Sequence, residues 1–394
     1  MSKVKLSVLV GMVLAVISAF VIFPGCAAEP EVIIETVTET VTETVTETVT
    51  ETIIEEVGAT VVDLGEILTR GPEGQVPVWY NQISLTPDEI EQVKGSNIVF
   101  AYDEAVANQF NDAIGRGLDY KCRQLNMDLA AWTINGMDAS TQVENIENIL
   151  ALDPDIIVAL SIDPVVSREA FKKAADQGVK IIFCSNKPGD FEWGVDYEGG
   201  LIVPDFMATG TFLADQLSKP AKIGVVYLDM DFFITNQWDA GFRLAVENSP
   251  DLEIVADVPW SGAVNDAETT VAAMITQNPD ITAIYVSYAL GANAAVSALR
   301  GAGATDIEVV TNDLEGTTAL EMINGNFIVG LTQCKAWQYG LTAADMGIYA
   351  MLGKELPAEC IAIPSLGANM NNVEQIWREV YNEELPDQLK EALE

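Results

Sequence analysis

The chain has 394 residues, of which 59 are acidic and 20 are basic, so its formal net charge at neutral pH is −39. This excess of acids argues against nucleic acid as the main partner, because phosphate binding needs clusters of Lys and Arg. The sequence contains no histidine, which excludes His-dependent catalytic triads and dyads and His-ligated metal sites. Five cysteines are too few for a disulfide scaffold in a chain of this length.

The first 26 residues have the pattern of an export signal. Lys3 and Lys5 precede an apolar run over residues 6–23, and a Gly-Cys pair that ends at Cys26 follows. This pattern predicts a secretory signal over residues 1–26. The apolar run is also long enough to span a bilayer, so an uncleaved transmembrane anchor is the alternative. The Gly-Cys ending resembles a bacterial lipoprotein signal, which implies that Cys26 is lipidated and ties an extracytoplasmic protein to the membrane.

An acidic, repetitive segment follows over residues 27–60. It carries nine acids and no bases between residues 29 and 57, and its centre repeats Thr-Glu-Thr-Val. A period of four drifts off the helical face, Thr is a poor helix former, and like charges four residues apart repel. We therefore expect an extended, solvated stalk, with a short oligomeric coiled coil as the alternative. A lead segment over residues 61–94, containing SLTPDEIEQVKG, separates the stalk from the body of the chain.

The body alternates apolar runs of strand length with amphipathic helical patterns. Strands are predicted at residues 97–102, 127–132, 155–160, 179–184, 222–228, 253–258, 282–287, 307–312 and 327–332. Strands buried on both faces and joined by helices are typical of doubly wound parallel sheets. The pattern occurs twice, so the sequence predicts an α/β fold with two Rossmann-like lobes of similar design.

Ligands of such sheets bind at the carboxyl ends of the strands, so the residues that follow each strand are the candidates for the site. The Gly-rich dinucleotide motif, the P-loop and the nucleophile elbow are absent from the sequence. Polar and aromatic residues follow the strands instead: Asn108, Phe110, Ser185, Asn186, Asn236, Trp238, Trp260, Tyr288, Asp313 and Gln333. For each of them a helix cap, a turn or a core position is the alternative interpretation.

The chemistry of these residues favours a neutral, polyhydroxylated ligand. Amides and carboxylates hydrogen-bond hydroxyl groups, and a flat aromatic face covers the apolar C–H face of a sugar ring. A phosphate would need basic residues and a metal would need regularly spaced ligands. We therefore expect neither a cofactor nor a bound metal.

Residues from about 96 to 373 resemble a type I periplasmic binding protein of the ribose/galactose group, the solute receptors of ABC importers. The stretches DPDIIVALSIDP, IEVVTNDLEG and GNFIVGLTQ carry the resemblance. It implies two lobes joined by a three-crossover hinge, with residues 95–205 and 334–363 in the N-terminal lobe and residues 206–333 and 364–394 in the C-terminal lobe. It also implies a small sugar or polyol as the ligand and a membrane permease as the partner. The resemblance implies ligand contact by Asn108, Phe110, Asn236, Trp260, Tyr288, Asp313 and Gln333.

The sequence departs from the ribose-type pattern in the site. Ser185 and Asn186 stand where that pattern has Asp-Arg, Asn236 stands in place of an arginine, and Tyr288 in place of an asparagine. The expected ligand is therefore sugar-like without being ribose by default.

Two other functions remain open at this point. A sensor of the same fold would pass the ligand signal to a signalling partner instead of a permease. An exported glycosidase would need paired carboxylates, for which Asp163 and Asp313 are the candidate pair. The binding function needs no covalent chemistry, so we expect no enzymatic activity.

Overall fold

The computed structural model describes residues 64–230 and 232–394. The predicted signal with Cys26 and the predicted stalk lie outside the described residues. The strands are β1 (Val78–Trp79), β2 (Val99–Glu104), β3 (Asp128–Ile134), β4 (Ile156–Ala159), β5 (Lys180–Cys184), β6 (Gly199–Pro204), β7 (Ala221–Leu228), β8 (Leu252–Trp260), β9 (Ala283–Val286), β10 (Glu308–Asn312), β11 (Ile328–Cys334), β12 (Cys360–Ile363) and β13 (Ser365–Ala368).

The helices alternate with these strands through most of the described chain. They are α1 (Pro87–Lys94), α2 (Gln109–Gln124), α3 (Ala139–Leu150), α4 (Arg168–Asp176), α5 (Thr209–Gln216), α6 (Phe233–Glu247), α7 (Val264–Gln277), α8 (Ala289–Ala302), α9 (Gly316–Ile323), α10 (Ala336–Met351), α11 (Val373–Tyr381) and α12 (Asp387–Leu393). Within the described ranges, no helix is both long enough and apolar enough to cross a membrane.

The first lobe is built on a parallel sheet. Its order among the described residues is β1-β12-β6-β5-β4-β2-β3, and every neighbouring pair is parallel. The inner strands β4 and β6 are buried along their whole length, as continuous apolar runs between two helical layers require. The strand β3 lies at the edge of the sheet and pairs with β2 alone. Its residues alternate between exposed and half-buried, because one of its two faces is open to solvent.

The second lobe repeats the design with one change. Its sheet has the order β13-β11-β10-β9-β7-β8 in the described part of the chain. The pairs are parallel except for β13, which runs antiparallel to β11. The structure thus confirms the predicted α/β fold with two parallel-sheet lobes, and adds one antiparallel edge strand that returns from the other lobe.

Local sequence signals set where the helices begin and end. The Asn108 side chain accepts a hydrogen bond from the backbone of Asn111 at 2.9 Å, which caps the start of α2. Asp138 caps α3 in the same way through the backbone N–H of Thr141, at 2.6 Å. Helix α8 ends at Gly303, whose φ of 67° is the left-handed conformation that glycine adopts without strain.

The chain passes between the two sheets three times, after β6, after β11 and after β12. The three passages are hydrogen-bonded to one another. The backbone N–H of Asp205 donates to the carbonyl of Ile363 at 2.8 Å, and that of Lys335 donates to the carbonyl of Pro364 at 3.0 Å. Three adjacent backbone segments therefore form the joint between the lobes.

The lead segment packs against both lobes. Its strand β1 extends the first sheet beside β12. The backbone N–H of Thr69 donates to Asp205 in the joint at 2.9 Å, and the Thr69 hydroxyl donates to Gln237 of α6 in the second lobe, also at 2.9 Å. Thr69 is completely buried by these contacts. The lead segment is thus part of the folded body.

Candidate functional site

A cavity of about 580 Å³ lies between the carboxyl ends of the two sheets. Both lobes contribute to its wall. We call the lining residues at the ends of β2 and β5 and in the segments that follow them the first-lobe rim: Asp103, Glu104, Asn108, Phe110 and Ser185. We call the facing residues the second-lobe rim: Trp238, Trp260, Tyr288, Asp313 and Gln333. Eight of the ten residues that the sequence predicts for the site therefore line one cavity.

The polar groups of the first-lobe rim are largely occupied by protein partners. Asp103 is completely buried, and its Oδ1 accepts hydrogen bonds from Thr133 at 2.7 Å and Asn145 at 2.8 Å. Its Oδ2 accepts from Asn135 at 2.9 Å and Gln142 at 3.0 Å. Four donors satisfy this carboxylate, so its role is to hold the ends of β2 and β3 and the helix α3 together.

Asn108 and Phe110 also combine a structural contact with a place in the cavity wall. The Asn108 side-chain oxygen caps α2, as described above, so only its amide N–H groups remain for a ligand. Phe110 meets Tyr339 edge to face, with ring centroids 6.4 Å apart. The alternative interpretation of Asn108 as a helix cap is therefore correct, and it is compatible with a position at the cavity.

Asp313 of the second-lobe rim is poorly satisfied by comparison. Its two oxygens accept one hydrogen bond each, from the backbone of Ala289 and from the Gln333 amide, and both distances are 3.4 Å. Burial, followed by the nearby charge of Glu315, raises the pKa of Asp313 to about 7. The carboxylate has unused acceptor capacity and would gain from a hydrogen-bond donor in the cavity.

Aromatic side chains form the other part of the second-lobe rim. Trp238 meets Tyr288 edge to face at 4.9 Å between centroids, and the Tyr288 hydroxyl lies 2.9 Å from that of Thr235. Trp260 is 2% exposed, and its Nε1–H has no hydrogen-bond partner within the described part of the chain. A buried donor without an acceptor is costly, so this group too would gain from a ligand.

Three rim residues have the left-handed backbone conformation that favours glycine. The φ angles are 63° for Ser185, 68° for Tyr288 and 73° for Asp313. Such conformations are uncommon for residues with a side chain, and they concentrate at functional sites, where the surrounding fold holds them. Ser185 and Asp313 directly follow a strand, and Tyr288 lies two residues after the end of β9. The turn at each position directs the side chain into the gap between the sheets.

Two predicted residues are not brought to the cavity. Asn186 follows Ser185, and its backbone groups bond to Cys184 and Ser161. Asn236 lies on α6 between two lining residues, Ile234 and Trp238. Ile234 and Trp238 are four positions apart and share one face of the helix. Asn236 is two positions from each of them and therefore lies on a different face. Residue spacing within a helix was the signal that could have separated Trp238 from Asn236.

The proposed catalytic pair is not assembled either. Asp163 is outside the cavity wall, and its Oδ1 accepts hydrogen bonds from the backbone of Val165 at 2.8 Å and Val166 at 2.7 Å. It acts as a turn residue, and it does not face Asp313 across the cavity. Among the described residues, no group of three or more Cys, Asp or Glu side chains is gathered in a way that could hold a metal ion.

The sequence reasoning missed several lining residues. Glu104 and Glu315 are acids close to strand ends, so the same rule that selected Asp313 could have found them. An apolar wall formed by Leu228, Met230, Phe232 and Ile234 lies at the end of β7 and the start of α6. Nothing in the local pattern distinguishes these four residues from core residues. Cys184 also lines the cavity, but burial raises the pKa of its thiol to about 12, so it stays neutral.

Comparisons with known proteins identify the family. Residues 98–355, more than half of the chain, match the model of the periplasmic binding protein domain. The chain is 25% identical over 182 residues to the D-ribose/D-allose-binding protein of Pseudomonas aeruginosa, an alignment that covers 45% of this chain and 57% of that relative.

Two solved structures have the same fold. One is a periplasmic ribose ABC transporter protein from Conexibacter woesei, 21% identical, with a TM-score of 0.64 over 73% of this chain and 98% of the other. The second is a solute-binding protein from Agrobacterium vitis bound to α-D-tagatopyranose, 18% identical, with the same TM-score over 73% of this chain and all of the other. The chain belongs to the periplasmic binding protein family, a family of extracytoplasmic solute-binding proteins.

Proposed function

We propose that this protein captures a small, sugar-like solute outside the cytoplasm and delivers it to an ABC-type permease. The observation that carries the proposal is the cavity between the lobes, whose wall combines aromatic rings with amides and carboxylates. The relatives whose names refer to ribose, allose and tagatose support a carbohydrate ligand. The names that refer to ABC transporters favour transport over sensing.

The mechanism is closure of the two lobes around the ligand. The three hydrogen-bonded passages between the sheets form the joint about which the lobes rotate. A ligand that contacts both rims binds the closed state more tightly than the open state, and this difference in affinity drives closure. The protein acts without covalent chemistry, because recognition and release of the solute are the whole task.

The export and anchoring features complete the proposal. In this proposal Cys26 is the lipidated residue, and the acidic segment over residues 27–60 links it to the body of the chain. The lobes follow the division in which residues 95–205 and 334–363 form one and residues 206–333 and 364–394 form the other. A radiolabelled fatty acid should be incorporated into the parent protein but not into Cys26→Ala, whereas a parent that stays in the membrane without label would indicate an uncleaved anchor.

The ligand is tested by thermal unfolding and calorimetry on the body of the chain, residues 64–394. The panel consists of ribose, allose, tagatose, arabinose, glucose, galactose and ribitol. A true ligand at 100 times its Kd raises the free energy of unfolding by about 2.7 kcal/mol. Failure of all seven compounds to bind would contradict a neutral sugar or polyol as the ligand, and accumulation of a reaction product would contradict the binding function itself.

A further inference from the structure

The charges around the cavity are of one sign. Four carboxylates line it, Asp103 and Glu104 from the first lobe and Asp313 and Glu315 from the second. No Lys or Arg is found in the lining, as far as residues 64–230 and 232–394 are concerned. His is absent from the sequence. The cavity therefore differs from a site in which arginines accompany the acids, and it presents carboxyl groups on both sides of the gap.

These acids are removed from water to different extents. Glu104 is 2% exposed, and its Oε2 accepts a hydrogen bond from Trp132 Nε1 at 2.9 Å. Burial raises the pKa of Glu104 despite that bond. Burial also raises the pKa of Glu315, whose side chain caps α9. Together with Asp313, three acids in the wall are held in surroundings that disfavour their ionised form.

Closure of the lobes makes this unfavourable arrangement worse. It brings the acids of the two rims toward each other and removes the water that screens them. A neutral sugar supplies hydroxyl donors but does not offset the charge. A ligand with an ammonium group supplies hydrogen-bond donors and also offsets the negative charge. The ammonium group would in addition be attracted to the aromatic faces of the wall.

The Trp260 side chain indicates a second property of the ligand. Its buried Nε1–H has no acceptor among the described residues, so it needs an oxygen from the ligand. A simple alkylammonium ion has no acceptor to offer. The cavity thus favours a molecule with a hydroxyl oxygen on the side of Trp260 and a positively charged donor on the side of Asp313.

We propose that the ligand is a polyhydroxylated amine, such as an amino sugar or an amino polyol, whose ammonium group binds Asp313 and whose hydroxyl oxygen accepts the Trp260 N–H. This inference rests on the proposed function and narrows its substrate class. It assigns Asp313 the role of the residue that distinguishes an amino-substituted ligand from its neutral parent.

The experiment compares matched pairs by calorimetry at pH 7.5. Glucose and galactose are each paired with their 2-amino-2-deoxy and 6-amino-6-deoxy analogues, and ribitol is paired with 1-amino-1-deoxyribitol. We expect at least one amine to bind ten times or more tightly than its neutral parent. In Asp313→Asn, which keeps the size of the side chain, that preference should fall to less than threefold. The exposed Asp251→Asn, in the turn before β8, should keep it.

The outcomes separate the inference from the function on which it rests. A neutral sugar that binds as tightly as its amine overturns the charged ligand and leaves the proposed function standing. If choline or putrescine binds more tightly than every hydroxyl-rich amine, the ligand is not polyhydroxylated. That result overturns the inference and also the sugar-like solute of the proposed function. Failure of all these compounds to bind overturns both proposals.

Discussion

The two rims of the cavity contain similar residue types but differ in how fully the polar side chains are hydrogen-bonded within the protein. In the first-lobe rim, Asp103 has four hydrogen-bond donors at 3.0 Å or less. In the second-lobe rim, Asp313 has two donors at 3.4 Å, and the Trp260 N–H has no partner in the described part of the chain. The first rim uses its polar groups to hold the protein together, whereas the second keeps them available. A strand-end acid is therefore a candidate ligand contact only when its neighbours leave it unsatisfied.

Replacement of Asp103 tests the structural half of this comparison and has the largest expected effect. In Asp103→Asn, an NH2 group replaces one carboxylate oxygen. It then faces the two N–H or O–H donors that had hydrogen-bonded to that oxygen. Loss of hydrogen bonds to a buried charged group should lower the free energy of unfolding by about 3–5 kcal/mol. Urea denaturation measures the change. A loss below about 1 kcal/mol would mean that the four contacts do not stabilise the first lobe.

Replacement of Asp313 tests the other half. Asp313→Ala should weaken ligand binding at least a hundredfold, about 2.7 kcal/mol, because the ligand loses its charged acceptor. The unliganded variant should be at least as stable as the parent, since a buried and poorly paired carboxylate has been removed. Calorimetry and denaturation measure the two quantities, with Asp251→Ala as the control. Unchanged affinity would remove Asp313 from the site.

The pH dependence of stability gives a further test of Asp313. The pKa of Asp313 is raised in the folded protein to about 7 from an ordinary value of 3.8. The protonated form therefore favours folding, so this contribution is fully present below about pH 4 and is lost as the pH rises to about 7. Relative to Asp313→Asn, the unliganded parent should lose up to about 1.4 kcal/mol per pH unit in this window. Parallel profiles for the two proteins would contradict the raised pKa.

The Trp260 side chain gives the smallest of the expected effects. Trp260→Phe keeps an aromatic ring but removes the N–H donor, so binding should weaken about five- to tenfold. The matched control is Trp337→Phe, because Trp337 packs on Tyr120 outside the cavity wall, with centroids 5.3 Å apart. Equal affinities for both variants and the parent would indicate that Trp260 serves only as a core residue.

Much of the fold could be predicted because buried parallel strands have a strong local signal. The run at residues 155–160 corresponds to β4, Ile156–Ala159, and the run at residues 222–228 to β7, Ala221–Leu228. The strands β1, β6, β12 and β13 were not predicted. β1 lies in the lead segment, and the other three lie directly at a passage between the lobes, where the strand-then-helix pattern is interrupted. Their assignment depends on pairing with distant strands, such as β12 with β6 and β13 with β11.

The same local signal selected most of the residues that line the cavity, whereas their contact with a ligand stays a prediction. The rule that ligand contacts follow strands selected Ser185, Tyr288 and Asp313, because each position is fixed by the strand that precedes it. It also selected Asn186, which shares that loop but does not reach the cavity. The rule specifies a loop, but the direction of a side chain within the loop depends on backbone torsions that residue types alone do not reveal.

From the sequence alone, one can determine that this chain has two α/β lobes, a strongly acidic body and polar strand ends suited to a hydroxyl-bearing ligand. These properties follow from local patterns of burial and from composition. Only the tertiary structure decided that Asp103 is fully hydrogen-bonded while Asp313 is not. It also decided that acids from both lobes line one cavity, in whose wall the described residues place no base. Hydrogen-bond satisfaction and charge balance depend on which distant residues meet, and folding brings together residues that are far apart in the chain.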